Sequence, residues 1–98
     1  MMKRYSIITN DLEHCIECGM PNVELHEVFF GVRNRHKSIE DGLVIPLCYK
    51  YHHNGNLIGI HKDIKLNLKY KKIAEKKWLD HYNKTKKDFI ERYGQNYL

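Results

Sequence analysis

"LCYKYHHNG", residues 47–55, places a cysteine four and five positions ahead of two adjacent histidines. Whether this stretch holds a structural metal, a chemical one or neither decides how the rest of the chain is read. A second thiol pair, Cys15 and Cys18, lies upstream in "CIECGMP". Zinc takes four soft or borderline ligands in a tetrahedron, and a CxxC knuckle supplies two of them. Cys48 and His52 are the pair that would close the site. Their spacing is Cx3H rather than the usual Cx2C or Cx2H, with Tyr51 where the second ligand is expected. Gly19, directly after Cys18, allows the tight turn a knuckle requires. The competing reading makes Cys48 a small buried hydrophobe and leaves the CxxC unmetallated. Small size favours zinc, because a domain of 98 residues buries only a modest core and gains from a staple.

Length also sets the domain organisation, one unit over residues 1–98. A hydrophobic content of 42% excludes a disordered polar chain, and a mean hydropathy of −0.65 with 30% charged residues excludes a membrane protein. "MMKRYSIITNDLEHC" has neither the apolar run nor the small-residue cleavage site of a signal peptide, so a cytoplasmic location is expected. Three cysteines cannot pair completely, which in a reducing compartment points to metal rather than disulfides. The net charge of +5 is concentrated: residues 62–87 hold ten lysines against Asp63, Glu75 and Asp80. Such a block is either a solvated helix face or a surface for phosphate.

The chain contains no internal repeat and no Pro/Gly/Ser linker. "VELHEVFF", residues 23–30, and "GLVIPLCY", residues 42–49, predict two strands, with Pro46 marking the second as an edge strand or its end. The intervening "GVRNRHKSIEDG", bounded by glycines and carrying Arg33, Arg35, His36 and Lys37, reads as a long loop. From about Lys62 the spacing turns helical. Leu66, Tyr70, Ile73, Ala74, Trp78 and Tyr82 recur at intervals of three and four, while Lys65, Lys69, Lys72 and Lys76 share another face. "TKKDFIERYG" predicts a short last helix, with Thr85 as N-cap, Asp88 closing a capping box and Gly94 as the stop. Phe89, Ile90 and Tyr93 would dock it on the long helix.

Among the histidines, His14, His36 and His81 read as surface or satisfied residues. His26 lies mid-strand, and His53 and His61 flank "NGNLIGI", whose glycines allow a turn that would bring their imidazoles together.

In their order, "CIECG", "LHEVFFG", "NRHKSIEDGLVIPLC", "HHN", "GIHKDIKLNLKYKKIA" and "ERYGQNYL" resemble small phage and prophage proteins of the HNH nuclease superfamily. The resemblance spans roughly residues 15–98 and implies an α+β fold of ββα-metal, treble-clef-like type: a zinc knuckle, a β-hairpin and a long basic helix, followed by a short C-terminal helix. It implies a metal-dependent DNA endonuclease. His26 would be the general base or, in the reverse assignment, a metal ligand, with Glu27 holding or positioning the ion. His53 and His61 would bind a catalytic divalent ion (Mg, Mn, Ni or Zn), and Cys15, Cys18, Cys48 and His52 the structural zinc; His52 and His53 are interchangeable in these roles. The motif's asparagine normally precedes the second strand, where this chain has Glu40, Asp41 and Gly42, so Asn34 is the candidate replacement. Arg33, Arg35 and Lys37 would hold a phosphate, and Lys65, Lys69, Lys72 and Lys76 would add nonspecific affinity for the DNA backbone. A homodimer, or a larger phage or recombination protein, is the further partner expected. The rival reading is a noncatalytic, zinc-stabilised nucleic-acid-binding module.

Overall fold

The computed structural model describes residues 4–48 and 64–98. Its elements run β1 (Val23–Glu27), α1 (Arg35–Asp41), β2 (Val44–Cys48), α2 (Ile64–Tyr82) and α3 (Lys86–Tyr93). The fold is α+β. The two strands form one antiparallel sheet in which Val23 faces Cys48, Leu25 faces Pro46 and Glu27 faces Val44. β2 is buried at all five positions, which explains why it reads as an unbroken apolar run rather than an alternating one. Pro46 is tolerated because a two-stranded sheet leaves each strand an edge without ladder bonds. The free Pro46 carbonyl instead accepts from the Ile16 amide at 2.9 Å, which pins the N-terminal segment to the sheet.

The expected loop between the strands is largely helix α1. Seven residues make two turns, too few for an apolar period to show, and Gly42, which reads as a loop glycine, is its left-handed C-cap at φ 75°. The helix is clamped to the chain leaving β1 by Ser38, whose buried hydroxyl accepts from the Phe29 amide at 3.1 Å and donates to the Phe29 carbonyl at 2.7 Å. β1 is accordingly shorter than the apolar run suggests: it stops at Glu27, and Val28 and Phe29 are buried beyond it.

Helix α2 buries Leu66, Tyr70, Ala74 and Trp78 on one stripe, as its spacing predicts, and leaves Lys65, Lys69, Lys72 and Lys76 exposed. Helix α3 begins with the full capping box: the Thr85 hydroxyl accepts from the Asp88 amide and the Asp88 carboxylate accepts from the Thr85 amide. Phe89 and Tyr93 dock as expected, but Ile90 is 43% exposed. It lies one position past Phe89 and so turns toward solvent. Trp78 of α2 meets Phe89 of α3 edge to face at 5.4 Å between centroids, and Phe89 also packs against Phe29, beyond β1, at 5.3 Å and against Tyr93 of its own helix at 4.8 Å.

Two buried acids sit in this core. Asp41, ending α1, accepts from Trp78 Nε1 of α2 and from Arg92 and Tyr93 of α3, so that one carboxylate joins three helices. Glu75 is fully buried on α2, and its Oε1 accepts from the Tyr97 amide at 2.6 Å, which fastens the C-terminal tail. Among the described residues no helix is long and apolar enough to cross a membrane.

Candidate metal centre and adjoining groove

The knuckle is built by backbone bonds. The Cys15 amide donates to the Met20 carbonyl at 2.8 Å, the Gly19 amide donates to the Cys15 carbonyl at 2.7 Å, and Gly19 takes φ 78° to make the reversal. Because Ile16 is tied to Pro46, two residues before Cys48, the turn delivers Cys15 and Cys18 to the end of β2. The three sulfurs all lie within 4.8 Å of one another, and Cys18 and Cys48 are 3.5 Å apart. Zinc–sulfur bonds of about 2.3 Å in a tetrahedron set sulfur–sulfur separations of roughly 3.8 Å. The cluster therefore fits a metal ion such as zinc. It is the one such group among the described residues.

The thiols differ electrostatically. Burial raises the pKa of Cys15, but backbone N–H groups of Cys48, Cys18 and Glu17 outweigh it and hold the thiol below its ordinary value. At Cys18 the Met20 amide lowers the pKa, yet burial and the Cys48 and Cys15 sulfurs carry it above. Three sulfurs this close cannot all be thiolates without a cation, and ionised thiols are the form that binds zinc. Helix α2 buttresses the centre. Glu17, inside the knuckle, accepts from the Tyr70 hydroxyl and pairs with Lys69 at 3.2 Å. Burial, then the Glu17 bond and charge, push the Tyr70 phenol far upward.

Across β1 lies a groove of about 890 Å³, lined in part by Arg4, His26, Glu27, Phe30, Arg35 and His36. Its wall carries three residues with roles proposed from the resemblance, His26, Glu27 and Arg35. His26, in register with Ile45, is only 4% exposed, and its ring lies 5.7 Å from that of Phe30. Lys71 of α2 caps this region, its ammonium 5.1 Å from the Phe30 ring and 5.3 Å from that of Tyr97. Burial pushes the Lys71 ammonium below its ordinary value. Glu27 is 8% exposed and has an arginine on each oxygen, Arg4 at 3.1 Å and Arg35 at 2.8 Å.

The remaining candidates are dispersed. Asn34 occupies the N-cap position of α1 without a capping bond; its amide donates to the Tyr93 carbonyl at 3.2 Å, and it does not line the groove. Lys37 donates to the Arg92 carbonyl at 2.7 Å, serving the C-terminus of α3. Arg33 is exposed, as are the four lysines of α2. His52, His53 and His61, the expected zinc and catalytic-ion ligands, lie outside the described residues. Arg4 gave no signal in the sequence, since it is 23 positions from Glu27. His36, read as a surface residue, is exposed but stands on the groove wall. His14 and His81 are exposed, with His14 paired to Asp11 at 2.9 Å. No family model, curated protein or solved structure matches the chain.

Proposed function

We propose that the chain is a metal-dependent DNA endonuclease of the HNH type, a single treble-clef-like domain acting on phosphodiester bonds in the cytoplasm. The observation that carries this reading is the placement of His26. It is a buried imidazole on the wall of an arginine-rimmed groove, on a strand paired residue by residue with the strand that ends in Cys48 of the cysteine cluster. Phosphodiester hydrolysis needs a base to take a proton from water in line with phosphorus, a task suited to histidine. The resemblance supplies the catalytic divalent ion, on His53 and His61, and His52 as fourth zinc ligand. When bound, that ion stabilises charge on the phosphate and the leaving oxygen. The exposed lysines of α2 give the backbone affinity that DNA binding of either kind requires.

A second reading, the noncatalytic zinc-stabilised nucleic-acid-binding module, draws on the same surface. It is favoured by the structural bonds of Glu27, Asn34 and Lys37, which occupy polar groups the nuclease reading would use.

The deciding experiment is plasmid cleavage by the zinc-loaded chain with magnesium, manganese or nickel added, beside His26→Ala. Metal-dependent nicking that the variant loses, with zinc content and DNA binding kept, is the expected result. Zinc and salt-sensitive DNA binding without cleavage under any metal would overturn the nuclease in favour of the binding module.

A further inference from the structure

Glu27 ends β1 with its side chain only 9% exposed, and each of its oxygens accepts from the Nε of one guanidinium. Arg4 Nε donates to Oε2 at 3.1 Å and Arg35 Nε donates to Oε1 at 2.8 Å. A guanidinium has five N–H donors, and the Nε bond uses one. Among the described residues the terminal nitrogens of both arginines make no further bond. Arg4 comes from the N-terminal segment and Arg35 from the first turn of α1, so the two reach the groove from separate parts of the chain. Their side chains are 34% and 64% exposed, and both line the groove.

Charge alone does not make this an anion site. Glu24 and Glu27 stand on the groove wall with Arg4 and Arg35, and the formal charges of these four cancel. What remains is orientation. A guanidinium held by one edge loses little further freedom on binding an oxyanion, and planar donor pairs match two phosphate oxygens. We propose that Arg4 and Arg35, yoked by Glu27, form a phosphate clamp in the His26 groove that takes one phosphodiester of the nucleic-acid backbone. Glu27 is then a positioning residue acting through the two arginines. The proposal rests on the nucleic-acid reading above and names the ligand of its groove.

The two accounts of Glu27 predict opposite signs. If it is merely a negative charge, Glu27→Gln removes repulsion and tightens DNA binding. If it orients the arginines, the same change weakens binding by about tenfold, the worth of roughly one charge-assisted hydrogen bond.

The test is fluorescence anisotropy of a labelled short duplex with the zinc-loaded full chain, over a range of potassium chloride, without added catalytic metal. The double variant Arg4→Gln/Arg35→Gln is expected to lower the slope of log affinity against log salt by about 0.9, the one phosphate contact the pair shares, and each single variant by part of that. Arg4→Lys keeps the charge but not the fork, and is expected to lose affinity while keeping most of the slope; it carries the orientation test if Glu27→Gln melts below the assay temperature. An unchanged slope in the double variant, tighter binding by Glu27→Gln, or wild-type affinity in Arg4→Lys would overturn the clamp. Inorganic phosphate, titrated in parallel, separates the two sources of the anion. Displacement of duplex only as ionic strength explains assigns the site to the diester, whereas saturable phosphate binding that Arg4→Gln abolishes, with unchanged DNA slopes, overturns that assignment. Plasmid cleavage is read separately, so a chain that never cleaves but shows the slope losses keeps the clamp and loses the nuclease.

Discussion

Replacing Asp41 removes the carboxylate that joins three helices. Its Oδ2 accepts from Trp78 Nε1 at 2.8 Å, the Tyr93 hydroxyl at 2.7 Å and Arg92 Nε at 2.6 Å, while Oδ1 accepts from Arg92 Nη2 at 3.0 Å. Asp41→Ala strands the Trp78 and Tyr93 donors in a buried setting, at about 1–3 kcal/mol each. The Arg92 side chain is 33% exposed and keeps Glu40 at 3.1 Å, so its loss is discounted for water and for that second carboxylate. A total of about 3–5 kcal/mol follows, the range found when one member of a buried pair is removed. For a domain of this size each kcal/mol moves the melting temperature by about 4–8 °C, so a fall of at least roughly 12 °C is expected. Asp41→Asn keeps one carbonyl acceptor and should fall between Ala and the parent.

Urea unfolding followed by circular dichroism measures the loss, and an unchanged m-value would show that the denatured state was unaffected. Trp78→Phe deletes only the N–H and should cost about 1 kcal/mol in the parent but much less in the Asp41→Ala background, because the partner is already gone. An Asp41→Ala variant within about 0.5 kcal/mol of the parent would refute the reasoning, since that is the range of an ordinary surface change.

Two further outcomes follow from the structure. Chelation, or Cys48→Ser, is expected to abolish cooperative unfolding, because structural zinc contributes about 10–16 kcal/mol against a total stability of about 5–15 kcal/mol for a domain; elemental analysis and thermal melting check this, and a stripped chain with the parent's melting temperature would refute a structural metal. Burial first, then hydrogen bonds, raise the pKa values of Tyr70, Tyr82 and Tyr93 in the folded chain. Their protonated forms therefore favour folding: stability should hold up to about pH 9 and fall as pH passes about 10, where unfolded tyrosines ionise. Tyrosinate absorbance should then rise together with unfolding, and full ionisation of all three in a still-folded chain would contradict the assignment.

What the sequence made legible was local. The turn of the CxxC that carries two thiols of the cysteine cluster was legible from CxxC and its following glycine, α2 from intervals of three and four, and α3 from a cap and a stop within ten residues. What it hid depends on distant partners. Asn34 reads as the motif's asparagine and Lys37 as a loop group that holds a phosphate, yet both bond to carbonyls of α3 that are 59 and 55 positions away. Glu75 interrupts the apolar stripe as a surface residue would, and is buried because the tail brings the Tyr97 amide onto it. Glu27, adjacent to His26 and therefore read with it, is held instead by Arg4 and Arg35.

The distribution of these interactions also determines which functional experiments are clean. The burden of stability falls on Asp41, Trp78, Phe89 and Tyr93, where the helices meet, and on the cysteine cluster. Arg4 and Arg35 are partly exposed, and each makes a single side-chain ion pair to Glu27, so removing either should cost no more than about 1 kcal/mol. Glutamine variants of the arginines should therefore report on nucleic-acid binding with the fold intact, whereas cysteine variants confound metal loss with unfolding. His26 lies between these cases: its ring is buried against Phe30, and alanine there leaves a cavity beside the sheet. Loss of cleavage by His26→Ala consequently identifies a base only when the variant melts cooperatively and keeps its salt-dependent DNA affinity. A variant that loses all three together would mark His26 as part of the core.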